Sequence, residues 1–141
     1  SANENVAQGM MLVFCTFPDM EKAREIGSGI VSEGLAACVN LIPRVESIYL
    51  WEGKMQSKNE VLAVFKLRAD CFAALEAALS ERHPYEVPEI VGLAADRVSE
   101  GYLNWVRVSG RDDLSESSNL AVLSPQTVRQ DPPSRQMRTF R

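Results

Sequence analysis

The residues from Glu60 to Arg68 predict a β-strand that is apolar on both faces, and this feature limits the possible folds most strongly. Side chains alternate between the two faces of a strand. One face carries Val61, Ala63, Phe65 and Leu67, and the other carries Leu62 and Val64 before the polar Lys66 and Arg68. A strand of this kind is covered on both sides. We expect helices of the chain to cover one face and self-association to cover the other.

The segments before this strand alternate between strand and helix patterns. Met10 to Phe17 is a short apolar run typical of a buried strand. Asp19 is a candidate N-cap for a helix with apolar residues at helical spacing, and Gly34 is placed to end it. The next strand runs from Ala36 to Trp51, and Pro43 predicts a bulge or an edge within it.

The remaining elements complete a repeated strand-helix-strand pattern. Glu52 to Lys54 predicts the turn of a long hairpin, and a second helix follows, with Asp70 as its candidate N-cap and Pro84 as its stop. Pro88 to Ala95 predicts a fourth strand, and Ser99 is a candidate cap for a last helix. The order β-α-β-β-α-β-α predicts an α/β fold of the ferredoxin-like type, an α+β sandwich with a C-terminal helix.

The domain boundaries follow from where this periodicity begins and ends. We expect a flexible N-terminus over 1–9, one domain over 10–110, and a disordered or loosely packed tail over 111–141. The chain has 141 residues, which suits a single domain.

Charge and composition exclude several classes of function. The net charge of −4 argues against a nucleic-acid partner, and no apolar run is long enough to span a membrane. No signal peptide is visible, so a cytoplasmic location is expected, and the odd count of three cysteines favours reduced thiols. The chain carries no P-loop and no HExxH motif, and its single histidine limits triad chemistry, so no enzymatic activity is expected.

Several longer strings are more specific than periodicity. They are CTFPD at 15–19, LAACVNLIP at 35–43, SIYLWEGK at 47–54, HPYEVPEI at 83–90 and YLNWV at 102–106. Together these strings resemble the CutA family of divalent-cation-tolerance proteins over about residues 11–110. The resemblance implies a ferredoxin-like homotrimer similar in architecture to the PII signalling proteins. It also implies a relation to copper and other divalent metals, and no established enzymatic reaction.

Cys15 and His83 are the candidate metal ligands. Cys15 ends the first strand just before a helix, where the helix dipole is expected to lower the thiol pKa and favour the thiolate that copper(I) prefers. A cysteine at this position is a proposed copper ligand in the family that the chain resembles. The alternative is a buried structural cysteine. The family pattern can place a second histidine before His83, but this chain has Arg82 there.

A second candidate site combines Lys66, Tyr85, Glu86 and Glu89, which the resemblance would gather in a cleft between subunits. Such residues suit a small anion or a metal complex, or else an intersubunit ion pair with a tyrosine hydrogen bond. We expect the aromatic residues Tyr49, Trp51 and Trp105 to serve packing or trimer contacts rather than ligand stacking. The leading hypothesis is a copper- or divalent-metal-binding homotrimer that acts in cation tolerance. The alternatives are a PII-like small-ligand sensor and a trimeric scaffold for partner proteins.

Overall fold

The computed structural model describes residues 9–110 and 124–128. In these ranges the strands are β1 (Met10–Phe17), β2 (Cys38–Trp51), β3 (Lys54–Arg68) and β4 (Val91–Ala94). The α-helices are α1 (Met20–Ser32), α2 (Phe72–Arg82) and α3 (Glu100–Val108). Of the expected flexible N-terminus over 1–9 and the expected tail over 111–141, the structure describes only residue 9 and residues 124–128; the rest lies outside the described residues.

The four strands form one antiparallel sheet in the order β2-β3-β1-β4. The first two helices cover one face of it, where Val13, Cys15 and Phe17 of β1 meet buried residues of α1 and α2. This arrangement confirms the predicted ferredoxin-like α+β sandwich. No helix within residues 9–110 is long and apolar enough to cross a bilayer.

Helix α1 begins and ends as its sequence predicts. The carboxylate of Asp19 accepts a 2.8 Å hydrogen bond from the backbone N–H of Lys22. At the other end, Gly34 has a φ of 75°, and the N–H of Leu35 donates to the carbonyl of Ile30 at 3.1 Å. This pairing is a Schellman motif, which satisfies carbonyls that the helix leaves free.

The long β2–β3 hairpin contains the predicted bulge and the predicted turn. The register shifts between Ile42 and Val45, where Pro43 lacks an N–H and Arg44 has a φ of 58°. At the tip, Glu52 and Gly53 have φ values of 50° and 77°. Two positive φ values in a two-residue loop define a type I′ turn, whose twist matches that of the strands.

Two local predictions were wrong. Asp70 does not cap α2, because residues Ala69–Cys71 form a 3₁₀ turn and the Asp70 carboxylate lies 2.8 Å from the Arg68 Nε instead. Strand β4 is also shorter than the predicted Pro88 to Ala95. It is an edge strand that pairs only with the first half of β1, and Pro88 has no N–H to donate to a ladder.

The second face of the sheet is only partly covered within the subunit. Helix α3 lies against β1 and β3 at one end of this face, with Val106 buried and the Arg68 Nη1 donating to the Arg107 carbonyl at 3.3 Å. The sequence predicts that self-association covers this whole face, whereas α3 of the same chain covers part of it. Apolar side chains of the face beyond α3 stay accessible, including those of Ile42, Val91 and Leu93, which are 44 to 47% exposed.

Candidate functional site

An open pocket of about 660 Å³ lies on the second face of the sheet, at the end away from α3. It is bounded by one face of the hairpin, from Glu60 towards Trp51 near its tip, by the end of β1 and by the irregular segment that follows α2. Its lining residues are Thr16, Tyr49, Trp51, Gln56, Lys58, Glu60, Tyr85, Glu86, Val87 and Glu89. The set combines three aromatic rings with three carboxylates and one ammonium group.

Strand alternation places the hairpin residues on this face. Gln56, Lys58 and Glu60 follow one another at every second position of β3, and Tyr49 lies opposite Gln56 in the register of β2. The other wall is the segment from Tyr85 to Glu89, which leaves the C-terminus of α2 and passes the end of β1. Residues distant in sequence therefore meet here, because the hairpin and the segment after α2 lie on the two sides of β1.

Tyr85 and Glu60 join the two walls of the pocket. The Tyr85 hydroxyl donates a 2.7 Å hydrogen bond to the Glu60 carboxylate, and Glu60 is only 9% exposed. Burial raises the pKa of Tyr85, and the hydrogen bond to Glu60 raises it further. This phenol therefore stays protonated at neutral pH and holds the Glu60 carboxylate in place.

The Lys58 ammonium group lies beside the same tyrosine. Its Nζ is 4.6 Å from the centroid of the Tyr85 ring, within the range of a cation–π interaction. Hydrogen bonding to Tyr85 raises the pKa of Lys58, and the charge of Glu60 acts in the same direction. The contacts with Tyr85 and Glu60 thus favour the charged form of Lys58.

His83 is buried next to the pocket residues Thr16 and Tyr85, and both of its ring nitrogens interact with backbone atoms. Its Nε2 lies 2.7 Å from the carbonyl oxygen of Thr16, and its Nδ1 accepts a 3.0 Å hydrogen bond from the Tyr85 N–H. The Nε2 is therefore the protonated nitrogen that donates to Thr16. The ring stacks on Phe17 at a centroid distance of 4.6 Å, and burial lowers the pKa of the imidazole.

Cys15 does not have the activated thiol that the sequence predicted. It lies in β1 opposite Ala63, fully buried on the helix-covered face, and its pKa is raised to about 12. Burial is the largest cause of this rise, and the charges of Glu89 and Glu60 contribute to it. Helix α1 begins five residues later with Asp19 as its N-cap, so desolvation of the thiolate dominates over the helix dipole.

Three of the four residues predicted for a cleft between subunits lie together in this pocket of the single subunit. Tyr85, Glu86 and Glu89 line the pocket, but Lys66 does not. It lies on β3 opposite Leu12 and Cys38, six residues and about 20 Å along the strand from Glu60. The lysine of this pocket is Lys58. Lys58 and Glu60 were not predicted as site residues, although their alternation along the predicted hairpin places them on one face.

The two predicted metal ligands, Cys15 and His83, are both buried within the subunit. Cys15 is enclosed in the core, and the one lone pair of the His83 ring accepts a hydrogen bond from the Tyr85 N–H. In residues 9–110 and 124–128, no three side chains of His, Cys, Asp or Glu are grouped to hold a metal ion. The pocket contains the exposed carboxylates of Glu86 and Glu89, to which a further metal-binding side chain could be added.

Comparison with known proteins gives a consistent result. Residues 11–109 match the family model of the CutA1 divalent ion tolerance protein. A divalent-cation tolerance protein CutA from Pyrococcus horikoshii is 40% identical over 97 residues, which are 69% of this chain and 94% of that relative. The chloroplastic protein CutA of Arabidopsis thaliana is 39% identical over 102 residues, which are 72% of this chain. This chain spans 56% of the length of the Arabidopsis relative.

Solved structures agree with these sequence matches. The crystal structure of CutA1 from Oryza sativa superposes with a TM-score of 0.73 at 36% identity, covering 76% of this chain and 98% of that one. The divalent cation tolerance protein from Thermus thermophilus gives a TM-score of 0.69 at 39% identity, covering 72% of this chain and 98% of that one. On the family model, the relatives and the shared fold together, this chain belongs to the CutA1 family of divalent ion tolerance proteins.

Proposed function

We propose that this chain acts in divalent-cation tolerance by binding copper(II) or another divalent ion in the pocket between the hairpin and the segment after α2. The observation that carries the proposal is the charge of the lining, which contains the carboxylates of Glu60, Glu86 and Glu89 and a single ammonium group, that of Lys58. Carboxylate oxygens suit divalent ions, whereas a thiolate is the ligand preferred by copper(I). The pocket therefore replaces Cys15 and His83 as our first candidate site.

The same proposal includes a homotrimer in which neighbouring subunits complete the metal site. Beyond the body of the domain, the hairpin exposes apolar side chains, and Ile48, Leu50 and Met55 are each more than 60% accessible. Apolar area of this extent is typical of an interface. A second subunit against the hairpin would also add ligands to Glu86 and Glu89, since one subunit alone offers too few for a stable site.

Calorimetric titration with copper(II) and zinc tests the location of the site. We expect the double variant Glu86→Gln/Glu89→Gln to bind at least tenfold more weakly than the parent protein. The matched comparison is Cys15→Ser, which alters the thiol and leaves the pocket unchanged, and which we expect to retain parental affinity. If Cys15→Ser loses binding while the glutamine variant retains it, the metal site is the thiol and not the pocket.

Light scattering tests the assembly. We expect the mass of a trimer at micromolar concentration. Leu50→Glu places a charge on the exposed apolar surface of the hairpin and should lower the measured mass. A stable monomer of the parent protein would contradict the shared site.

A sensor of small anions is the second candidate function, favoured by one observation. Lys58 places its ammonium group in the pocket beside the Tyr85 hydroxyl, an arrangement that can hold a carboxylate or a phosphate. Stabilisation of the protein by nucleotides or carboxylates in a thermal shift assay, with loss of that effect in Lys58→Met, would support it. The net negative lining makes the cation our preferred ligand.

A further inference from the structure

Glu60 carries a carboxylate that its own subunit buries. The residue is 9% exposed in a single subunit, and contact with a neighbouring subunit can only bury it further. The Tyr85 hydroxyl donates a 2.7 Å hydrogen bond to its Oε2. Within residues 9–110 and 124–128, no cationic side chain forms an ion pair with Glu60. A buried carboxylate in this state attracts an added cation.

The other oxygen of Glu60, Oε1, stays accessible in the single subunit. In the part of the chain that the structure describes, Oε1 accepts no hydrogen bond, and no fully buried side-chain oxygen lacks one. Oε1 is therefore in contact with solvent, in the same pocket that Glu86 and Glu89 line. A neighbouring subunit that covers this oxygen removes it from water, and the oxygen then requires a donor or a cation.

Tyr85, which orients this carboxylate, is itself held by backbone hydrogen bonds. Its N–H donates to His83 Nδ1 at 3.0 Å, and His83 Nε2 lies 2.7 Å from the carbonyl oxygen of Thr16 at the end of β1. The tyrosine hydroxyl and Oε2 of Glu60 are thus both tied to the body of the domain. Hydrogen bonds of this kind fix the orientation of side chains that bind metals.

We propose that Tyr85 is a positioning residue that determines which divalent ions the pocket binds. Because Oε2 is engaged by the hydroxyl, Glu60 binds an ion through Oε1 alone. Calcium takes about six to eight oxygen ligands, and carboxylates often supply both of their oxygens, whereas zinc is stable with about four ligands. A carboxylate restricted to one oxygen therefore favours zinc or copper(II) over calcium. This inference rests on the metal site proposed above and adds the residue that sets its selectivity.

Calorimetric titration of the full chain with zinc and with calcium tests the inference. The proteins are the parent, Tyr85→Phe, and Tyr102→Phe as a matched control, since Tyr102 lies on α3 beside Trp105 and outside the pocket. Loss of a hydrogen bond to a metal-binding side chain typically costs about 10–100-fold in affinity, so Tyr85→Phe should weaken zinc binding about tenfold or more. Release of Oε2 should leave calcium affinity unchanged or raise it. Tyr102→Phe should match the parent for both ions.

A second variant tests the ligand itself, because Tyr85→Phe is also expected to lower stability. Glu60→Gln keeps an amide oxygen that accepts from the Tyr85 hydroxyl and replaces the other carboxylate oxygen with an amide nitrogen. This variant should weaken zinc binding at least as much as Tyr85→Phe does. Light scattering of each variant at the titration temperature checks that its assembly matches that of the parent.

The ratio of zinc affinity to calcium affinity decides the outcome. A ratio that falls in Tyr85→Phe and not in Tyr102→Phe supports the proposal. An unchanged ratio in Tyr85→Phe, including equal losses for both ions, would show that the hydrogen bond is only structural and would overturn it, as would parental zinc affinity in Glu60→Gln. Binding that is lost in Glu86→Gln/Glu89→Gln alone would leave the metal site standing without Tyr85. A parent protein that binds no divalent ion would contradict the metal site as well.

Discussion

The guanidinium group of Arg82 holds the carboxylate of Glu33 through two contacts of 2.7 and 2.8 Å, across 49 positions of the chain. Arg82 is the last residue of α2 and Glu33 is the C-cap of α1, so the pair ties the ends of the two helices together. Position 82, where the family resemblance can imply a second histidine, therefore holds an arginine that links the two helices in this chain. The Arg82 side chain does not line the pocket.

The first prediction concerns this ion pair. Both side chains are partly exposed, so solvent screens their attraction and Arg82→Ala should lower the melting temperature only slightly. The difference in melting temperature between Arg82→Ala and the parent should become smaller as salt is added, because ions screen an exposed pair. Thermal unfolding at low and high salt, with Lys22→Ala as an exposed control, measures it. A large loss that is independent of salt would show that Arg82 acts through packing instead.

The second prediction concerns the hydrogen bond between Tyr85 and Glu60. Tyr85→Phe removes the donor and leaves a mostly buried carboxylate without it, so unfolding should require about 1–3 kcal/mol less free energy. Tyr49→Phe removes a hydroxyl from the same pocket and serves as the control, with an expected change below about 0.5 kcal/mol. Urea unfolding compares the two, and equal losses would contradict a special role for this bond.

The third prediction concerns thiol chemistry. Burial raises the pKa of Cys15 from 9.0 to about 12, so the folded protein keeps a proton there that the unfolded chain releases. This contribution to stability is complete below pH 9.0 and is lost as the pH rises towards 12. Cys15→Ala should therefore show a weaker loss of stability at alkaline pH than the parent. Melting temperatures across that range provide the measurement.

Labelling of the native protein by a thiol reagent provides a second check on the cysteines. Cys38 is partly exposed, whereas Cys15 and Cys71 are buried. Mass spectrometry should find Cys38 modified first at neutral pH. Faster labelling of Cys15 than of Cys38 would show that Cys15 is the reactive thiol that the sequence predicts.

The fourth prediction concerns His83. Burial lowers its pKa below 6.5, so the unfolded chain binds a proton more readily than the folded protein does. The stability contributed by the neutral ring is therefore complete above pH 6.5 and is lost as the pH falls through the lowered pKa. His83→Gln, which preserves hydrogen bonding, should reduce this loss in a series of melting curves below neutral pH. An unchanged pH dependence would assign the loss to other groups.

The fifth prediction compares two glycines of α1. A Cβ added at Gly29 would meet the Arg82 Nη1 at 3.6 Å, an ordinary contact, so Gly29→Ala should stabilise the protein by about 0.5–1 kcal/mol through helix propensity. At Gly27 the Cβ would lie 3.3 Å from Val39 Cγ1, where the helix packs closely on the sheet. Gly27→Ala should therefore gain less or be destabilising. Urea unfolding of both variants makes the comparison.

The order of the elements was predictable because each of them carries a local signal. Asp19 and Gly34 bound the first helix by hydrogen bonds and backbone angles that depend on a few neighbouring residues. The hairpin turn at Glu52 and Gly53 is local in the same sense. Asp70 was misassigned because Arg68, two residues earlier, competes for its carboxylate and a 3₁₀ turn precedes the helix.

The pocket was less predictable because it depends on contacts between distant segments. Lys58 and Lys66 have the same alternation on β3, so sequence alone could not tell which of them faces Tyr85; the position of the segment after α2 decides it. The pKa of Cys15 likewise depends on the depth of burial, which its place beside a helix start did not reveal.

The register shift between Ile42 and Val45 separates the hairpin into an inner part, which ends at Ile42 on β2, and an outer part that extends to the turn. Side chains alternate between the two faces of a strand with a period of two. Removing two residues from each strand of the outer part would therefore shorten it and leave every remaining side chain on its present face. Removing a single residue from each strand would instead turn the ring of Tyr49 and the amine of Lys58 to the opposite side. Natural or engineered length variants that retain a working pocket should therefore differ by even numbers of residues per strand.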